Sequence, residues 1–291
     1  MIRLLAVILF LIPSCFGADL EAALARLMRG RSGTAVVMNV ASGKILASYH
    51  PEVAARRLAR PGSTFKVFTL LSLIESGKVR ANESFVCRRN LRVGRHNLSC
   101  SHPESGALQA VSALAYSCND YFATSGSRLT AEELRQAFAK AGFTSATGLQ
   151  KGEATGSIKL ARTDEERKLQ AIGEGEMKIT PLELLTAFRS LALRRTSTDA
   201  RKAERTVFAG LEASTEYGMG RLASPKGMKV AGKTGTSRTE GGSWTNAWFA
   251  GYAPADKPQV TVVVFLERGT GPGDAAPIAG EIFEAWKQSA R

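Results

Sequence analysis

Three short patterns in this 291-residue chain carry side chains suited to nucleophilic chemistry. The first is Ser63-Thr64-Phe65-Lys66. On a helix, residues three apart share a face, so the Lys66 amine can reach the Ser63 hydroxyl. A serine is a weak nucleophile until a neighbouring base takes its proton. Lysine can be that base when burial or a second cation lowers its pKa. Alone the pattern is weak, because about one Ser-x-x-Lys is expected by chance in a chain this long. The second is Ser117-Cys118-Asn119, where another hydroxyl could relay a proton and an amide could hold a substrate backbone. By itself it reads as a helix cap or turn. The third is Lys233-Thr234-Gly235-Thr236. Lys233 offers a cation to a substrate carboxylate and could depress the pKa of Lys66. Gly235 removes a side chain where a substrate strand would lie close to a sheet.

The elements that must position these residues can be read around them. Pro61-Gly62 stops the chain, and Ser63 opens an apolar helix to about Ser76, with Gly77 as terminator. Backbone N–H groups at that helix start favour negative charge developing there. Helical spacing is also expected over Asp19–Met28, Leu108–Tyr116, Glu132–Ala141, Pro181–Leu193 and Ala275–Gln288. A polar stretch near Thr196–Ala203 reads as an exposed connection. Thr34–Asn39 and Lys44–Tyr49 form a hairpin through Ser42-Gly43, and later strands are expected over Met228–Thr234, Trp244–Tyr252 and Val260–Leu266. Strands at both ends with helices between predict an α+β fold. Its antiparallel sheet is built from N- and C-terminal strands, flanked by helices, with an inserted, mostly helical region.

Composition narrows the class. A hydrophobic content of 44% lets the chain bury a full core, and no repeat period is evident. The start reads Met1-Ile2-Arg3, an apolar run from Leu4 to Ile12, then small residues to Ala18. That is the pattern of an export leader, placed at residues 1–17, with the catalytic domain over 18–291. The run is shorter than the roughly 20 residues that span a bilayer. Cys15 loosely fits a lipoprotein lipidation site, with Pro13 as a poor match. The charge of +13, from 39 Lys+Arg against 26 Asp+Glu, could attract nucleic acid. Export and the lack of any nucleic-acid-binding signature speak against that partner. Anionic lipid head groups or acidic wall polymers suit such a surface better.

The order Ser-x-x-Lys, Ser-x-Asn, Lys-Thr-Gly resembles the penicillin-binding transpeptidases. The flanking text agrees: Pro61 to Val67, Tyr116 to Phe122, Ala231 to Ser237, Ala171 to Gly175, Ile179 to Leu182, and Ala247 to Tyr252. The resemblance runs from about Thr34 to the C-terminus. It implies a β-lactamase/transpeptidase-like fold and D,D-transpeptidase chemistry on peptidoglycan stem peptides ending in D-Ala-D-Ala, with no cofactor and with β-lactams as look-alike substrates. It implies Ser63 as nucleophile, Lys66 as base, Ser117 as proton relay and Lys233 as a catalytic cation. Asn119, Thr234, Gly235 and Thr236 would bind substrate, and the N–H groups of Ser63 and Thr236 would form the oxyanion hole. Large family members carry a further N-terminal domain, and little precedes Thr34 here.

Rival readings share the fold: a serine β-lactamase, or a D,D-carboxypeptidase using water as acceptor. Glu174 and Glu176 lie in text that matches transpeptidases, so neither is assigned as a hydrolytic base. A non-catalytic β-lactam sensor or wall-binding module is the alternative of another class. Cys87 and Cys100 bracket an insertion beside His96 and His102. In an oxidising compartment a Cys87–Cys100 disulfide is favoured, with zinc or free thiols as the other options. No metal is assigned, because the Cys-x-His spacing is tight for a structural zinc site. Cys118 reads as a small buried side chain.

Overall fold

The computed structural model describes residues 15–103 and 106–289. Residues 1–14 of the leader expected over 1–17 lie outside them. In chain order the main elements are α1 (Cys15–Leu27), β1 (Gly33–Asn39), β2 (Ile45–Tyr49), α2 (Pro51–Arg56), α3 (Lys66–Glu75), α4 (Ala110–Ala115) and α5 (Asn119–Gly126). Then follow α6 (Ala131–Lys140), α7 (Asp164–Ala171), α8 (Pro181–Arg195), α9 (Lys202–Glu216), β3 (Ala231–Arg238), β4 (Thr245–Ala253), β5 (Val260–Leu266) and α10 (Ala276–Ser289). Short two-residue and four-residue strands decorate the helical insertion.

The five strands form one antiparallel sheet in the order β2-β1-β5-β4-β3. The two ends of the chain meet at its centre, where Gly33 pairs with Leu266 and Asn39 with Val260. β5 reads Val-Thr-Val-Val-Val-Phe-Leu and is buried on both faces. Such a continuous run suits a strand covered on both sides, since successive side chains alternate between them. Val262 and Val264 face α1 and α10, where Leu20, Leu24, Met28, Ile282 and Phe283 complete an apolar layer. Val263 and Phe265 face the helical side, in one core with Phe65, Phe68, Phe138, Phe143 and Phe188. The fold is therefore α+β, as the pattern of elements predicts.

Boundaries differ in instructive ways. Helical structure begins at Cys15 rather than Asp19. A 3-10 turn over Gly62–Thr64 holds Ser63, and the α-helix itself starts at Lys66. The third strand begins at Ala231, after a loop, rather than at Met228. Four helices escaped the pattern: α2, α5, α7 and α9. In α7 a run of charged residues hides the periodicity, and only Leu169, Gln170 and Ala171 are buried. α9 follows the polar connection directly, and it packs Val207, Phe208 and Leu211 into the helical core between α4 and β3.

Candidate active site

The nucleophile turn is clamped from two sides. Gly62 N–H donates to the Gly173 carbonyl at 2.9 Å, and Arg60 Nε donates to the Gly175 carbonyl at 2.9 Å. On the other flank Ser237 Oγ donates to the Arg60 carbonyl at 2.8 Å. Gly173 sits at φ +82°, and a Cβ there would lie 1.8 Å from the Gly62 carbonyl oxygen, so only glycine allows this approach. At Gly235 the missing side chain faces the Pro61 carbonyl and the Thr64 methyl, each 2.8 Å from an added Cβ. The missing side chain lets the nucleophile turn seat closely on β3.

The second pattern forms the facing wall. α4 ends at Tyr116, Ser117 adopts φ 56°, and Cys118 caps α5 by accepting the Tyr121 N–H. A left-handed conformation at a non-glycine residue costs roughly 1–3 kcal/mol and persists only where its surroundings enforce it. Here Ser117 N–H is held by the Leu114 carbonyl at 3.1 Å and Cys118 N–H by the Ala113 carbonyl at 3.0 Å.

Lys66 joins the patterns. Its Nζ donates to the Ser117 carbonyl at 2.8 Å, to Asn119 Oδ1 at 2.6 Å and to Ser117 Oγ at 3.4 Å. The residue is fully buried, and that burial brings its pKa down to about 8. A lysine that loses its proton near neutrality is fit to be a base. Among the described residues Ser63 Oγ has no hydrogen-bond partner, so its hydroxyl is free for an incoming group. Asn119 is more committed than expected: its Oδ1 accepts from Lys66, and its Nδ2 donates to the Ser99 carbonyl at 2.8 Å.

Lys233 departs from its expected place. It is fully buried beneath the surface, donating to the Thr234 carbonyl at 3.1 Å. Burial first, and repulsion from Lys66 second, push its pKa well below the usual lysine range. Its amine lies close enough to Lys66 for the two to repel when both are charged. Ser63, Ser117, Asn119, Thr234 and Thr236 line a cleft of about 920 Å³. Thr236 Oγ1 accepts the Gly271 N–H at 2.9 Å, which aims its own proton elsewhere. β3 is the last strand of the sheet, so one edge faces the cleft unpaired.

Glu174 also lines the cleft and was not assigned a role from sequence. Its Oε1 accepts the Arg238 N–H at 3.2 Å, and burial pushes its carboxyl up to about 7. Glu176 lies nearby on the exposed rim.

The cysteines assemble differently from expectation. Cys87 and Cys100 are free thiols, not a disulfide, and Cys118 sits among them. Cys118 Sγ lies 3.4 Å from Cys87 Sγ and 3.8 Å from Cys100 Sγ, beyond the roughly 2.05 Å of an S–S bond. His102 joins this group and His96 does not: the four donor atoms of Cys87, Cys100, His102 and Cys118 lie within 4.8 Å of one another. The sequence reading grouped Cys87, Cys100 and His102 but left out Cys118, which comes from the catalytic wall.

A serine on a turn, a buried lysine and a hydroxyl–amide wall thus stand together beside a sheet edge. The chain belongs to the penicillin-binding protein transpeptidase domain family, which it matches over residues 33–285. It is 29% identical over 310 residues to stage V sporulation protein D of Bacillus subtilis, covering 86% of this chain and 48% of that one. It is 25% identical over 274 residues to the probable peptidoglycan D,D-transpeptidase FtsI of Caulobacter vibrioides, covering 79% and 46%. The chain thus spans about half the length of these two relatives. Among solved structures, the transpeptidase domain of Burkholderia pseudomallei penicillin-binding protein 3 superposes with a TM-score of 0.81 at 20% identity, covering 96% of this chain and 94% of that one. Pseudomonas aeruginosa PBP2 gives 0.79 at 23% identity, covering 92% and 74%. Both show the same fold.

Proposed function

We propose that this chain is a peptidoglycan D,D-transpeptidase working through a Ser63 acyl-enzyme on stem peptides that end in D-Ala-D-Ala. The observation that carries the reading is the Lys66 amine, buried beside the nucleophile turn and bonded to both Ser117 and Asn119. The neutral amine takes the Ser63 proton as Oγ attacks the carbonyl of the penultimate D-alanine. The oxyanion meets the N–H groups of Ser63 and Thr236. As the C–N bond breaks, Ser117 Oγ passes the proton from Lys66 to the departing D-alanine amine, a path that its 3.4 Å contact supports. Thr234 and Thr236 receive the terminal carboxylate, and the open edge of β3 accepts the peptide as an added strand. An amine of a neighbouring stem then attacks the ester and frees Ser63.

β-lactams enter as amides that acylate Ser63 and block the return. The leader at residues 1–17 would export the chain to the periplasm or the outer face of the cytoplasmic membrane. The basic surface would favour contact with anionic lipid or wall polymer.

The raised Glu174 carboxyl in the cleft supports a second outcome, a D,D-carboxypeptidase in which water is the acceptor. One assay separates the two: the full chain with a stem pentapeptide and a large excess of an amine acceptor, products resolved by mass. Cross-linked peptide as the main product supports the transpeptidase. Tetrapeptide alone, at every acceptor concentration, would replace it with the carboxypeptidase.

A further inference from the structure

The Cys87, Cys100, Cys118 and His102 cluster lies outside the acyl-transfer steps, yet it is built as a ligand set. A tetrahedral zinc site with Zn–S bonds of about 2.3 Å spaces its sulfurs about 3.8 Å apart. The sulfur separations here are 3.4 and 3.8 Å. Three of the four residues are buried and Cys87 is half-buried. His102 Nδ1 lies 2.8 Å from the Pro103 carbonyl, so its N–H donates there and the lone pair of Nε2 points away. That Nε2 is buried with no hydrogen-bond partner among the described residues. A buried unpaired nitrogen is costly, and a ring held by a backbone carbonyl is the common support of a metal-ligating histidine. The His102 ring also stacks on Tyr116, with centroids 5.5 Å apart.

The sulfurs have supports of the same kind. Arg89 N–H donates to Cys87 Sγ at 3.3 Å, and Tyr121 N–H donates to Cys118 Sγ at 3.4 Å. The segment carrying Cys87 is tied to α5, because Arg88 N–H donates at 2.7 Å to the buried Asp120 and its guanidinium pairs with the same carboxylate. A disulfide could use two of these thiols and would strand the third.

We propose that Cys87, Cys100, Cys118 and His102 form a tetrahedral thiolate–imidazole site for a zinc-class divalent cation. Binding releases the three thiol protons, and three thiolates around a dication leave one net negative charge. Because Cys118 lies between Ser117 and Asn119, the cation fastens the wall of the catalytic cleft to the insertion. The proposal is independent of the acyl acceptor and of the reaction.

The test is metal analysis of the full chain purified under reducing conditions, by plasma mass spectrometry, then exchange into cobalt(II). One zinc per chain is expected, with intense sulfur-to-cobalt charge-transfer bands and the d–d bands of a tetrahedral site. Cys87→Ser and His102→Ala remove ligands that do not touch Lys66. Each is expected to weaken metal binding by at least the ~10–100-fold that losing an outer partner costs. Chelation should speed amide exchange at residues 116–121 and leave β1 unchanged. If the variants do not fold, the cobalt spectrum of the unaltered chain decides alone. A zinc-supplemented chain that retains no metal, with all three thiols open to alkylation, would overturn the proposal. So would a metal-free mass lowered by the hydrogens of a disulfide.

Discussion

The two faces of the central sheet are covered in opposite ways. Under α1 and α10 the layer is apolar throughout, from Leu20 and Leu24 to Phe283 and Trp286. On the helical side the same sheet lies against a core that also holds Lys66 and Lys233, two fully buried amines. Burying an ionisable group without a partner charge is costly and shifts it toward its neutral form. The apolar face therefore supplies stability, and the other face uses some of it to keep two lysines near neutrality. That division separates substitutions that unfold the protein from those that silence it.

The largest expected effect is on the catalytic face. Lys66→Ala removes the base, and acylation by a β-lactam should slow by about 10²–10⁴-fold, read by stopped-flow or quenched mass. The protein should stay folded, since a buried amine contributes no apolar contact at its tip. On the opposite face, Phe283→Ala should cost about 3–5 kcal/mol in urea unfolding, while the folded fraction still acylates at the normal rate. If that variant lost activity at full folding, the separation of the faces would fail.

A third substitution lies on the boundary. Gly173→Ala places a methyl against the Gly62 carbonyl in a left-handed position. A loss of roughly 1–3 kcal/mol is expected, together with slower acylation, because the nucleophile turn must move. Unchanged kinetics would show that the turn is positioned without this contact.

The smallest effect is read in the pH profile. A base must be neutral, so acylation should rise with pH as Lys66 loses its proton around 8 and level off above that. A charged Lys66 makes Lys233 lose its proton first, so Lys233 is neutral where Lys66 titrates. Lys233→Met should therefore leave the midpoint in place. A midpoint that moves to higher pH would show a charged Lys233 beside Lys66.

These contrasts also bear on what the sequence made legible. Ser63, Lys66, Ser117 and Asn119 were readable because each motif keeps its chemistry within four consecutive residues. β5 and β1 were readable because a run of β-branched valines packs well on a pleated sheet and poorly in a helix. The depth of Lys233 was hidden, since a strand does not announce which face lies under the cleft. α7 was missed because charge masks its buried side, and α9 because a polar connection precedes it. The cysteine cluster was only half visible: Cys87 and Cys100 were paired by proximity in sequence. His102 lay beside them in sequence, whereas Cys118 arrives from the catalytic wall, a contact that only the tertiary fold creates.

The most direct test of the central claim is a time course of intact mass for the full chain with penicillin, beside its Ser63→Ala variant. The account predicts an adduct of one drug mass that persists for many minutes and is absent from the variant. An adduct that forms equally in Ser63→Ala, or none in either protein, would contradict Ser63 as the nucleophile.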